Sequence, residues 1–183
     1  FTLEAWVYKA SPFSGAPGII SKGDYFLVGQ SGTDQITFGF VDSSTTPHTI
    51  DSLSAIPNNQ WVHLAGVYDG ADLLIYRDGV LDNRATIGAF TVATTSANLE
   101  LGKNAGNYFN GTLDEVRLWN LARSQTQLQR ALHHTLSGSE PGLAAYYNFD
   151  QTAGVILPDL TNGGNHGTLM NLPAWTIATW RYG

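Results

Sequence analysis

The sequence predicts an all-β fold: a two-sheet antiparallel sandwich with one short helix. Three observations predict it. Short segments of alternating apolar and polar residues recur along the chain. Asp69-Gly70, Asp78-Gly79 and Asn110-Gly111, dipeptides that suit tight turns, stand beside or between them. Charged residues are only 13% of the chain while Gly numbers 20, a balance that suits many turns and few exposed helices.

The elements follow in order. In residues 1–10, Phe1, Leu3, Ala5 and Val7 face one way and Thr2, Glu4, Trp6 and Tyr8 the other. Aromatic rings on the second face predict a strand buried on both sides. Residues 11–18 are a turn-rich loop, and residues 18–32 read as two short strands around Lys22-Gly23-Asp24. Residues 35–42 form another strand, and residues 48–57 alternate more weakly. Residues 61–70 are a strong strand stopped by Asp69-Gly70. Residues 73–81 form a hairpin whose Asp78-Gly79 suits a type I′ turn. Residues 85–90 and 99–102 continue the meander, and residues 109–120 form a strand entered through an Asn110-Gly111 turn. One helix is expected over residues 122–134. Ser124 caps it, with Gln127 at capping-box spacing and Leu128, Ala131 and Leu132 as a narrow apolar stripe. His133 and His134 fall in its last turn, where the helix dipole suits cations. The chain then returns to strand at residues 143–150, passes an Asn/Gly-dense loop, and ends with Trp175 and Trp180, which need a core.

Composition narrows the partners. The 183 residues suffice for one domain with its own core. Nine basic and fifteen acidic side chains leave a net charge of −6 with no basic run, which argues against nucleic acid. No apolar stretch is long enough to insert in a membrane. The absence of Cys excludes disulfides and thiolate metal sites. A strand-like pattern at Phe1 reads as a piece of a longer chain.

Four segments carry a family likeness: FTLEAWV, WVHLAGVYDGADLLIYRDGVL, YFNGTLDEVRLWN with the helix start after it, and GLAAYYNFDQTAGVILPDLTNGGNHGTLMN. In this order they resemble the laminin-G-like, concanavalin A-like lectin/glucanase jelly-roll domains of bacterial extracellular proteins. In many relatives a segment like the last precedes the first strand. Here it follows the helix, and it is expected to close a single domain over residues 1–183, with residues 142–175 supplying terminal strands.

The loop at residues 158–167 is the main chemical feature. Asp159, Asn162 and Asn165 offer side-chain oxygens, and its glycines let carbonyls turn inward, as a Ca²⁺ shell of about six to eight oxygens needs. The resemblance implies a structural calcium here, aided by Asp114 and by His166 or its carbonyl. The alternative is a metal-free turn in which Asp159 and the Asn side chains cap backbone groups.

Catalysis finds less support. Asp114 and Glu115 are neighbours on a strand, so they are expected on opposite faces and cannot flank one glycosidic bond. The alternating acidic string that the resemblance associates with hydrolases of this fold is missing. None of the five His residues shows zinc spacing. Trp6, Trp61, Trp119, Tyr68 and Phe149 sit in strand patterns and read as core. Tyr25 and Tyr108, with Asn107, are loop candidates for stacking on a sugar ring.

The resulting expectation is a non-catalytic module of a larger secreted or surface protein, binding carbohydrate or a glycosylated surface. The alternatives are an adhesion repeat that contacts protein and a polysaccharide hydrolase or lyase.

Overall fold

The computed structural model describes residues 1–176. The strands are β1 (Thr2–Lys9), β2 (Gly18–Lys22), β3 (Tyr25–Gly29), β4 (Ile36–Val41), β5 (Pro47–Asp51), β6 (Trp61–Tyr68), β7 (Asp72–Arg77) and β8 (Val80–Thr86). Then come β9 (Glu100–Leu101), β10 (Lys103–Asn104), β11 (Asn107–Tyr108), β12 (Gly111–Trp119), helix α1 (Gln125–Ala131), β13 (Leu143–Tyr147), β14 (Ile156–Leu157) and β15 (Gly167–Thr168).

Two antiparallel sheets form the body. One has the order β13-β12-β1-β6-β7-β8 and the other β5-β4-β3-β2-β9. Leu3, Ala5 and Val7 of β1, Leu64 of β6, Leu73 and Ile75 of β7, and Val116 and Leu118 of β12 all point between the sheets. There they join Ile20, Leu27, Ile36, Phe38, Phe40 and Ile50 in one core. This is the period-2 face that alternation predicts. β1 is buried on its other face too: the segments flanking α1 lie against it, with the Leu121 carbonyl accepting from Thr2 Oγ1 and the Leu132 carbonyl from Trp6 Nε1, while Leu128 of α1 packs on β6 and β7.

The Asp78-Gly79 hairpin has positive φ at both central residues, 49° and 71°, as a type I′ turn requires. Glycine is needed at position 79 twice over: a Cβ there would sit 2.8 Å from Gln129 Cγ of α1. The capping box of Ser124 and Gln127 is formed, and Leu128 and Ala131 are the buried helix residues. The helix stops at Ala131, so His133 and His134 lie beyond its last turn. The His133 ring packs 5.6 Å from the Trp6 ring.

Three local expectations are corrected. Asn110-Gly111 is extended, with the Asn110 carbonyl accepting from Ala10 N. The turn lies at Ala105-Gly106, where φ is 46° and 85°. After β8 the chain leaves its sheet: Val92 bridges to Asp42, and β9 pairs with β2 of the opposite sheet. Backbone pairing to the far layer thus replaces a continued meander. Finally, the β1–β12 register shifts between Glu4 and Trp6, opposite Arg117 and Asp114. Glu115 sits at this bulge with φ 49°.

The bulge feeds a buried polar layer on the outer face of the six-stranded sheet. Arg117 Nη2 donates to Glu115 Oε2 at 2.6 Å and to the His134 carbonyl, and Nη1 donates to the Ala131 carbonyl at 3.1 Å. Trp6 Nε1 donates to the Leu132 carbonyl, and Trp119 Nε1 to Glu4 Oε1. Tyr146 donates its hydroxyl to Glu115, while His63 Nε2 lies 3.2 Å from Glu4 Oε2. The sheet therefore supplies the donors that the helix's last carbonyls lack. Burial pushes the Glu4 carboxyl up, but His63, Arg117 and Trp119 outweigh it and hold the group below its ordinary range. Trp6 and Trp119 are buried, as expected, but in this outer layer rather than between the sheets. Trp175 packs partly on the core and donates to the Gly154 carbonyl at 3.1 Å. Trp180 lies outside the described residues.

Candidate functional site

β13 is the edge strand beside β12, and its backbone is held by the loop that follows β14. Tyr146 N donates to Asp159 Oδ1 at 3.1 Å, and Leu160 N donates to the Tyr146 carbonyl at 2.9 Å. Asp159 is 4% exposed. Its Oδ1 also accepts from Thr161 N and Thr161 Oγ1, and its Oδ2 from the backbone and side-chain nitrogens of Asn165. Asp159 N donates in turn to His166 Nδ1 at 3.0 Å. Burial raises the Asp159 carboxyl, but donors on Thr161, Tyr146 and Asn165 outweigh it and keep the group ionised below its usual range. The Asn165 carbonyl accepts from the Tyr147 hydroxyl at 2.7 Å.

Asp159, Asn165 and His166 are thus brought together, but as a knot of hydrogen bonds. Five donors reach a carboxylate that offers about four lone-pair sites, which leaves no oxygen free for a cation. Asp114 stays on β12 beside β1, where its Oδ1 accepts from Glu115 N. Among the described residues no three His, Asp or Glu side chains form a group able to hold a metal ion. The donor set does not fit calcium in this arrangement.

Asn162 takes a different place. It lines a cleft of about 270 Å³ with Gly138, Ser139, Glu140, Leu143, Ala144, Thr161 and Gly163. The far wall is a tight turn, Glu140-Pro141-Gly142-Leu143, closed by Leu143 N on the Glu140 carbonyl. Proline presets its second position, and Gly142, with φ 82°, takes the third at no steric cost. Glu140 then folds back on its own loop. Oε1 accepts from Ser137 N at 2.7 Å and from Ser137 Oγ, and Oε2 accepts from Gly138 N at 3.0 Å. Burial raises this carboxyl, but those donors and its own backbone N–H overcome it and hold it below 4.5. Both walls are therefore fixed by a carboxylate bonded to nearby backbone. Leu143 and Ala144 add apolar surface to the lining. Asn162 is exposed and makes no hydrogen bond among the described residues, so its amide faces the cleft's solvent. Sequence reasoning named Asn162 but missed Ser139 and Glu140. The Ser-Gly-Ser-Glu-Pro-Gly string was the available signal.

The aromatic candidates divide. Tyr25 opens β3 instead of lying in a loop, and its ring packs 5.7 Å from Phe1 against the core. Burial, aided by Asp24, pushes its phenol up to about 12. Tyr108 is 57% exposed on β11, with its hydroxyl accepting from Asn171 Nδ2 at 3.1 Å. The Asn107 carboxamide lies close over Gly15 and donates to the Asn104 carbonyl. Packing thus takes Tyr25 and Asn107 into the body and leaves Tyr108 facing outward.

The acids singled out for catalysis are committed elsewhere. Glu115 is fully buried against Arg117 and Tyr146. The bulge, not simple alternation, sets its direction.

Known proteins are similar to this chain in sequence and fold. Over 112 residues it is 34% identical to mouse pappalysin-1, a match covering 56% of this chain and 7% of that protein. The chain therefore spans a small part of that relative. A Bacteroides ovatus protein to which carbohydrate binding is attributed superposes with a TM-score of 0.77 at 24% identity, covering 91% of this chain and 50% of the other. Domain 4 of an extracellular arabinanase from Geobacillus stearothermophilus, in complex with arabinotriose, superposes at 0.55 with 22% identity, covering 70% and 64%. At these identities the likeness is one of fold. The model of the Laminin_G_3 family matches residues 1–129, ending before the cleft. With that match over well more than half its length, the chain belongs to the concanavalin A-like lectin/glucanases superfamily.

Proposed function

We propose that this chain is a non-catalytic carbohydrate-binding module of a larger secreted or surface protein, and that its ligand sits in the cleft between Glu140 and Asn162. The cleft carries the reading. It joins hydroxyl, amide and carboxylate groups to a small apolar surface, and both walls are held before a ligand arrives. A carboxylate acceptor and a free amide suit the paired hydroxyls of a sugar ring. The carbohydrate attribution of the Bacteroides neighbour and the arabinotriose complex support the same class. A hydrolase would need two carboxyl groups facing one bond, whereas Glu140 is the single acid lining the cleft among the described residues.

Isothermal titration against a panel of oligosaccharides tests this. Glu140→Ala and Asn162→Ala should each weaken binding about tenfold, the cost of one lost polar contact to a ligand. A panel with no binder, or binding unchanged in both variants, would sink it.

A second reading, contact with protein in an adhesion repeat, is favoured by one observation. Val155, Ile156, Met170 and Leu172 are all at least half exposed on and around the β14–β15 hairpin.

A further inference from the structure

We infer that the cleft ranks sugars by charge: it prefers those bearing a protonated amine, accepts neutral ones and rejects acidic ones. This rests on the carbohydrate reading above and adds the chemical class of the ligand. The lining includes one ionisable side chain, Glu140, and no Lys, Arg or His among the described residues. Its donors are the Ser137 and Gly138 backbone N–H groups, the Ser137 hydroxyl and its own N–H, all neutral, so none cancels its charge. Asp159 adds a second negative charge behind the opposite wall, since its Oδ2 would lie 3.4 Å from a Cβ on Gly163. The five donors on Asp159 are amides and one hydroxyl, so none cancels its charge.

One cation whose field reaches Glu140 is Arg123. Its guanidinium is stacked 4.0 Å over the Trp119 ring and is not part of the lining. A uronate or sialic carboxylate in the cleft would therefore meet Glu140 with no counter-charge in the lining. An ammonium there would form a charge-assisted hydrogen bond. The net charge of −6 biases the encounter the same way.

The test titrates the whole chain with three oligosaccharide panels of matched length, one amino, one neutral and one acidic. Titrations run at low salt and at a pH where the amine is protonated. Amino sugars should bind at least about tenfold tighter than acidic ones, with the gap shrinking as salt is raised. Glu140→Gln removes the charge while its one carbonyl oxygen can still accept from Ser137 N and Oγ, at the cost of the acceptor for Gly138 N, and should collapse the gap to about twofold. Asn162→Asp, at an exposed position outside the hydrogen-bond network, should widen it. Acidic sugars binding as tightly as amino sugars would overturn the ranking and leave the carbohydrate reading standing. Failure of all three panels would overturn both.

Discussion

Asp159 shows at the scale of one residue what the terminal loop is for. Its carboxylate stitches Tyr146 of the edge strand to Thr161 and Asn165 of the loop. Asp159→Ala would leave the buried Tyr146 N–H and the part-buried donors of Thr161 and Asn165 without their acceptor, at about 1–3 kcal/mol each where water cannot reach them. A loss of roughly 3 kcal/mol is expected, read as a lower unfolding midpoint. The midpoint of the unmodified protein should be the same in EDTA and in millimolar CaCl₂, because hydrogen bonds already saturate the carboxylate. A calcium-dependent rise abolished by Asp159→Ala would instead mean that the loop rearranges to admit the ion.

Helix α1 is the element most exposed to a single change. Seven residues are too few to hold a helix in water, so its cap and its docking face must do so. Ser124→Ala removes the acceptor for Gln127 N and should cost about 1 kcal/mol in denaturant unfolding. The loss should stay modest because the other end is held independently by Arg117 and Trp6 on the Ala131 and Leu132 carbonyls. The same outer layer anchors the segment leading to the cleft, through the Tyr146 hydroxyl that accepts from Leu136 N.

At the scale of the molecule, acid should unfold the domain through its carboxylates. The Glu4, Asp34, Asp42, Asp72, Glu140 and Asp159 carboxyls are all shifted downward, from ordinary values of 3.8 for Asp and 4.5 for Glu. A carboxyl with a lowered native value contributes stability that is complete above its unfolded value. That contribution disappears as pH falls through the lower native one. Urea midpoints should therefore change little from neutrality down to about pH 5 and drop steeply below about pH 4. A midpoint that stayed level to pH 3 would show that these carboxylates are not held in the native state as described.

The sequence alone determined what depends on neighbouring residues. Alternation in β1, β6 and β12, the Asp78-Gly79 turn and the Ser124 capping box are set by local backbone preference and side-chain period. The tertiary structure decided whatever joins distant segments. The bulge that sets Glu115 beside Arg117 in the outer polar layer follows from matching β12 to β1, and nothing in the string Leu-Asp-Glu-Val marks a positive φ at a glutamate. Tyr25 reads as a loop aromatic until Phe1, 24 positions away, packs against it. Asp159 reads equally well as a calcium ligand or a cap, and only the folded chain brings the backbone of Tyr146, thirteen residues earlier, to its carboxylate. The cleft exists only because the Glu140 turn and the Asn162 loop flank the same strand edge. An amino-acid sequence specifies which groups a loop can offer. Which partners satisfy them, and which groups stay free for a ligand, is settled only when the sheets have packed.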